Sequence, residues 1–173
     1  MKNKVLQVVG YSQTGKTKII QMVLGELTKI GYQVAVIKSA KSYKGRENSK
    51  DTDKHLDSGA KISAGSFDNS LQITIAQNYS LQQIIEIIDS ISKNDVILVE
   101  GFKMSEYPKV LSWKSNELHN LNKFNLNELL LVYCSQKDYN NNEQLKELSE
   151  KKSVPIVFGM ETLVKEIVKY LTS

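Results

Sequence analysis

Residues 4–20 read KVLQVVGYSQTGKTKII. Val5–Val9 is a short apolar run of strand length, and from Lys16 onward apolar residues recur at helical spacing: Ile19, Ile20, Val23, Leu24, Leu27 and Ile30. Between the two, Gly10 and Gly15 bracket four residues and Lys16 and Thr17 follow, which is the spacing G-x-x-x-x-G-K-[ST]. Each fixed residue has a physical task. The glycines let the backbone turn sharply and approach an anion without a Cβ in the way. The N–H groups of Gly10, Tyr11, Ser12, Gln13, Thr14, Gly15, Lys16 and Thr17 can then point inward as a phosphate-binding nest. Lys16 reaches the outer phosphates, the Thr17 hydroxyl can ligate Mg²⁺, and the helix beginning here aims its positive end at the same charge.

The surrounding chain fits such a loop. Its 173 residues suit one domain, taken as residues 1–173, with enough length for a real core. No apolar run reaches the ~18 residues of a membrane span, and the opening MKNKVLQ passes straight into a strand, so no secretory signal is read. The single cysteine, Cys134, excludes an internal disulfide framework and a cysteine-cluster metal site, and it fits a reducing cytoplasm. It sits at the end of LLLVYCS and reads as a buried small residue, with a reactive thiol as the alternative. The net charge of +4 is carried by scattered lysines without interleaved aromatics, so nucleic acid is not indicated; a solvated surface or an anionic ligand is.

Strands and helices alternate along the chain. QVAVI (Gln33–Ile37) reads as a strand after a helix over Lys16–Ile30, Ser39–Asp53 as a lysine-rich loop, and Lys54–Ser58 as a short helical turn. GAKISAGSFDNSLQITIA reads as two strands turning at Asp68–Ser70, and Leu81–Ser92 as a helix. DVILVEG is a buried strand, YPKVLSW an edge strand because Pro108 lacks a ladder donor, and Lys114–Asn127 a polar loop with some helix. ELLLVYC is a further buried strand, Asn142–Lys151 a charged helix, VPIVF the last strand and Met160–Leu171 the last helix. This pattern predicts an α/β domain with a mostly parallel sheet, an antiparallel hairpin that makes the sheet mixed, and helices on both faces. Ligands of such sheets bind at the carboxyl ends of the strands, where the Gly10 loop lies.

Two further segments carry chemistry. DVILVEG delivers the Glu100 carboxylate to a strand end, where it could hold or orient Mg²⁺; the alternative is a cap on the turn before Gly101. KDTDKHLDSGA gathers Asp51, Asp53, Lys54, His55 and Asp57, either as groups that reach a metal and terminal phosphate or as a solvated charge run. In SQKD, Asp138 could accept hydrogen bonds from a guanine edge or could start the next helix.

Together GYSQTGKT, KDTDKHLDSGA and DVILVEGFK…PKV resemble the molybdopterin-guanine dinucleotide biosynthesis protein B (MobB) family in order and approximate spacing, best over residues 4–110. The resemblance implies a P-loop NTPase-like three-layer fold and a dimeric GTP-binding adapter in molybdenum cofactor maturation, with weak hydrolysis of its own. It implies a MobA-like enzyme that transfers GMP to molybdopterin as partner, with molybdopterin itself as a further candidate; the residues themselves, as read above, point to no nucleic acid and no membrane. Carried over by position, Gly10–Thr17 would hold the phosphates of GTP. Lys16, Asp51 and Glu100 would act on the terminal phosphate, and Thr17, Asp51 and Glu100 would face Mg²⁺. Thr52, with Asp51, would fall in the segment facing Mg²⁺ and the γ-phosphate, Gly101 would complete the strand-end motif, and Lys103 would help bind an anion. The chain departs from the family at Ser39 and Ala40, where histidines are usual, at Lys54, at Leu56, and at Val110 and Leu111, where an acidic residue often follows PK.

Other classes fit less well. A small phosphotransferase clamps its transferring group with several cations, preferably arginines, and Arg46 is the lone arginine among 23 basic residues. The same scarcity implies no internal arginine finger and slow hydrolysis. A nickel- or cobalt-delivery GTPase needs soft or imidazole ligands, and the chain has only His55, His119 and Cys134. A module that binds an anion without turnover would use the same loop.

Overall fold

The computed structural model describes residues 4–40, 50–115 and 120–173, with backbone alone at 50 and 51. The elements run β1 (Lys4–Val9), α1 (Lys16–Lys29), β2 (Val34–Lys38), α2 (Lys50–Asp57), β3 (Ile62–Phe67), β4 (Ser70–Ile75), α3 (Leu81–Ile91) and β5 (Val96–Glu100). They continue through β6 (Lys109–Ser112), β7 (Leu129–Tyr133), α4 (Gln136–Asn140), α5 (Glu143–Lys152), β8 (Ile156–Val157) and α6 (Met160–Thr172), with a 3₁₀ turn at Leu121–Lys123. The chain divides into two compact units, residues 1–39 with 85–173, and residues 40–84.

In the larger unit six strands form one sheet in the order β2-β5-β1-β6-β7-β8, and every pair is parallel. Residues of β1 alternate between two cores. Leu6 and Val8 join the α1 residues Ile19, Ile20, Val23 and Leu27 and the α6 residues Leu163, Val164, Ile167 and Leu171. Val9 joins Leu111, Trp113, Phe124, Val132, Cys134 and the α5 residue Leu145 in a second cluster. Burial on both faces is why these strands read as continuous apolar runs.

In the smaller unit β3 and β4 pair antiparallel from Ile62–Ile75 to Phe67–Ser70, and α2 packs on β3. The hairpin was expected to extend the main sheet into a mixed one; it forms a two-stranded sheet of its own. The segment around Asp51 is also more regular than expected, because α2 starts at Lys50 and takes in residues assigned to the loop. Residues 41–49, with Arg46, and His119 lie outside the described residues.

The expected edge strand at YPKVLSW is instead interior: β6 lies between β1 and β7, and all four of its residues are buried. Pro108 costs the ladder nothing because it precedes the strand and contributes only its carbonyl, which accepts from Gln7 N–H at 2.9 Å. The next residue supplies the donor, Lys109 N–H to Glu128 O at 2.9 Å.

Burial of α6 against α1 predicts a steep difference along one helix. Ile167→Ala, at a site 2% exposed, should lower unfolding free energy by about 2–5 kcal/mol. Tyr170→Ala, at a site 39% exposed, should cost no more than ~1 kcal/mol. Urea denaturation of the two variants checks this.

Candidate functional site: the phosphate loop

The register of the central strands assembles the site. β1 pairs with β5 through Val8–Glu100 and with β6 through Val9–Leu111, so the carboxyl ends of the three strands lie side by side. The loop 10–15 crosses that edge. A Cβ at Gly10 would stand 2.3 Å from Ser112 O and 2.7 Å from Thr14 Oγ1, so the loop's close approach to β6 needs glycine there. Gly15 meets no such crowding; its φ of 89° is what requires it. Internal bonds hold the loop: Thr14 Oγ1 donates to Tyr11 O at 3.1 Å, and Ser112 Oγ donates to Thr14 O at 2.6 Å. Lys16 Nζ donates to Tyr11 O at 2.5 Å.

Helix α1 begins without a side-chain cap, and its first turn holds no acidic residue. Its leading N–H groups are therefore available to an anion, and Lys16 and Lys18 add positive charge where the helix dipole is already positive. Ser12, Gln13, Gly15, Lys16, Thr17 and Glu100 line one cavity of about 320 Å³, together with Lys18 and Lys38. Burial lowers the pKa of Lys16, opposed by the Glu100 charge and reinforced by Lys103 and Lys38.

Glu100 faces the loop. Its Oε2 accepts from Thr17 Oγ1 at 2.9 Å and lies 3.3 Å from Lys38 Nζ. Only 12% of its side chain is exposed, so the carboxylate is held among these partners. Gly101 does not line the cavity; its N–H donates to Val8 O at 3.1 Å, tying β5 to β1. Tyr11 keeps its backbone in the loop but sends its ring elsewhere. The ring meets Trp113 and Phe124 edge-on at 6.0 and 5.4 Å, and its hydroxyl donates to Asn120 O and accepts from Asn120 N–H, both at 2.9 Å. The Asp51 side chain lies outside the described residues.

Sequence reasoning missed Lys38 and Ser112 as parts of this site. Lys38 had a signal: VAVIK and VILVE are apolar strands that end in opposite charges, and Lys38 and Glu100 are register partners. Ser112 had none, because only the β1–β6 pairing brings it under the loop. Of the two readings of Asp138, its observed bonds match the helix start. Ser135 Oγ donates to its carboxylate at 2.6 Å and Ser115 N–H at 2.9 Å, while Asp138 N–H donates back to Ser135 Oγ at 3.0 Å. Burial acts to raise the Asp138 pKa, but the Ser135 and Ser115 hydrogen bonds outweigh it and hold it low. Cys134 is buried, and burial, then the Asp138 charge, pushes its thiol up to about 11, as suits a packing residue.

The donor set suits a nucleotide with Mg²⁺. A hydroxyl and a carboxylate are hard oxygen ligands of the kind Mg²⁺ prefers, and among the described residues no cluster of three or more His, Cys, Asp or Glu forms an all-protein metal cage. Such a site draws the remaining ligands from phosphates and water. Glycine-gated approach, open helix N–H groups and flanking lysines complete the fit.

A parallel sheet whose central strand leads through this loop into α1 defines a P-loop NTPase-like α/β protein. Comparison with known proteins narrows the class. The family model for molybdopterin guanine dinucleotide synthesis protein B, MobB, matches residues 5–135, and the chain belongs to that family. A Bacillus subtilis protein named "Probable molybdopterin-guanine dinucleotide biosynthesis adapter protein" is 32% identical over 117 residues, covering 65% of this chain and 66% of the relative, just under two thirds of its length. A Methanocaldococcus jannaschii protein, also named for a molybdopterin-guanine dinucleotide biosynthesis adapter, is 26% identical over 179 residues, covering 96% of this chain and 73% of its own. The crystal structure of Bacillus subtilis MobB has the same fold, with a TM-score of 0.74, 23% identity and 97% of each chain covered.

Two outcomes follow from the geometry. Gly10→Ala should destabilise the protein by about 1–3 kcal/mol through overpacking against Ser112, whereas Gly15→Ala should cost nearer 1 kcal/mol from its backbone conformation alone; thermal unfolding distinguishes them. Because the Asp138 pKa is held low in the fold, its contribution is present above the ordinary carboxylate range and is lost as pH falls below it. The stability difference between the native protein and Asp138→Asn, about 1 kcal/mol near neutrality, should therefore shrink below about pH 4 in urea titrations.

Proposed function

We propose that this chain binds GTP with Mg²⁺ at the Gly10–Thr17 loop and serves as an adapter in the attachment of GMP to molybdopterin. The carrying observation is the pairing of Thr17 Oγ1 with Glu100 Oε2 at 2.9 Å beside Lys16, at the uncapped start of α1. Family membership and the names of the relatives support the pathway. Thr17 and Glu100 would hold Mg²⁺, whose positive charge would offset that of the phosphates. Lys16 would exchange the Tyr11 carbonyl for phosphate oxygens, a stronger, charge-assisted partner. Lys38, 3.3 Å from the Glu100 carboxylate, would keep it aimed at Thr17.

Residues 1–173 act as one nucleotide-binding domain in this reading, and a GMP-transferring, MobA-like enzyme and its molybdopterin are the partners. The protein works in the cytoplasm, which a lone buried thiol suits. It is a homodimer; the exposed Ile62, Leu71 and Ile73 of the hairpin are apolar surface that self-association would cover. Hydrolysis is weak and Mg²⁺-dependent, in keeping with one arginine in the sequence. No helix among the described residues is long and apolar enough to cross a membrane.

Calorimetric titration with GTP, ATP and GDP, each with and without Mg²⁺, tests the reading. Preference for GTP with Mg²⁺ is expected; preference for ATP would favour a phosphotransferase. Lys16→Ala should weaken GTP binding roughly 10- to 100-fold, the range of a hydrogen bond to a charged group, in a protein that still unfolds cooperatively. Glu100→Gln should reduce binding with Mg²⁺ and leave Mg²⁺-free binding nearly intact, and equal losses would make Glu100 a structural carboxylate.

A further inference from the structure

The β1–β6 contact is apolar except at one register position. There Gln7 and Lys109 are Cα partners, so both side chains leave the same face of the sheet. Both are fully buried. A buried amide and a buried ammonium are tolerated only when their polar atoms are matched, and these two find their partners chiefly in one turn, residues 101–105, directly after Glu100. Gln7 Nε2 donates to Gly101 O at 3.0 Å and Phe102 O at 3.2 Å, while Ser105 Oγ donates to Gln7 Oε1 at 2.6 Å. Lys109 Nζ donates to Ser105 O at 2.5 Å and to Asn125 O at 2.9 Å.

The turn needs such restraint. Phe102 has a φ of 52°, a left-handed conformation that a bulky residue keeps only when its surroundings over-determine it. The turn also carries useful charge at two points. Glu100 enters it, and Lys103 in its middle lies 4.4 Å from the Tyr11 ring centroid and 4.8 Å from that of Phe124. Neither Gln7 nor Lys109 lines the phosphate-loop cavity.

We propose that Gln7 and Lys109 are positioning residues, which clamp the 101–105 turn from within the sheet and so hold the Glu100 carboxylate and the Lys103 ammonium in place beside the phosphate loop. The inference rests on the GTP and Mg²⁺ reading above. A purely space-filling role would be met equally by apolar side chains, since well-packed apolar replacements of buried polar or ionic groups are often neutral. That difference makes the clamp testable.

Titration of GTP across a Mg²⁺ series should compare the native chain with Gln7→Met, Lys109→Met and Ser105→Ala. Ser105→Ala removes a single link from a half-buried turn and carries the test if either Met variant fails to fold. The Mg²⁺ concentration needed for tight binding should rise about tenfold while Mg²⁺-free GTP affinity changes by less than about twofold, as for groups that orient a metal ligand. An unchanged Mg²⁺ requirement in the folded variants would overturn the clamp, and so would equal losses with and without the metal. Amide hydrogen exchange of the nucleotide-free protein supplies a separate readout. The N–H groups of Gly101, Ser105 and Asn125, which donate to Val8, Phe102 and Lys103 carbonyls, should exchange faster in the variants while those of α6 do not. If the native protein fails to bind GTP with Mg²⁺, the proposed function falls and exchange alone decides the clamp: local acceleration supports it, and its absence overturns it.

Discussion

The Glu100 carboxylate accepts from Thr17 and neighbours Lys38, and this meeting of three chain segments depends on a parallel register. Lys38 and Glu100 end adjacent strands at the same level, and Val8 of β1 sits opposite Glu100 on the other side. A shift of one residue in β5 would turn the carboxylate to the opposite face of the sheet. Parallel strands feed their carboxyl ends to one edge, so the chain can gather there a nest of N–H groups, a hydroxyl and a carboxylate from distant positions. Apolar packing on both faces of the sheet, against α1 and α6 on one and α5 on the other, holds that register.

The same sheet accommodates polar groups at chosen points. Gln7, Lys109 and Ser112 are buried in strands whose other buried residues are apolar, and each is matched by backbone carbonyls or a side chain of an adjoining loop. Unmatched, each would be costly in a medium where water cannot compensate. Matched, they connect the strand ends to the loops those strands support. Ser112 braces the phosphate loop from β6, and Tyr11 fastens the loop to Asn120 and to the aromatic cluster of Trp113 and Phe124.

Much of this was legible from local pattern. The Gly10–Thr17 spacing, the apolar strands ending at Val9 and Glu100 and the helical period after Lys16 all lie within short windows, where backbone geometry and hydrophobic period act directly. The position of β6 was not legible, because Pro108 weakens a ladder only where its nitrogen must donate, and that depends on the neighbouring strand. The separation of the hairpin from the main sheet was hidden for a similar reason: alternation within GAKISAGSFDNSLQITIA specifies a pair of strands but not what they join. The helical start at Lys50 was masked by the polar composition of its flank.

By itself, then, the sequence determined a phosphate loop between a strand and a helix, a largely parallel α/β sheet, a carboxylate at a strand end and the family those motifs share, because each is written in neighbouring residues. Tertiary structure alone decided that β1 lies between β5 and β6, that Lys38 and Ser112 belong to the site, that the Tyr11 ring turns away from the cavity, and that Gln7 and Lys109 share one buried turn. These outcomes depend on strand order and register, which follow from the packing of the whole sheet between its two cores and leave no mark at any one position in the chain.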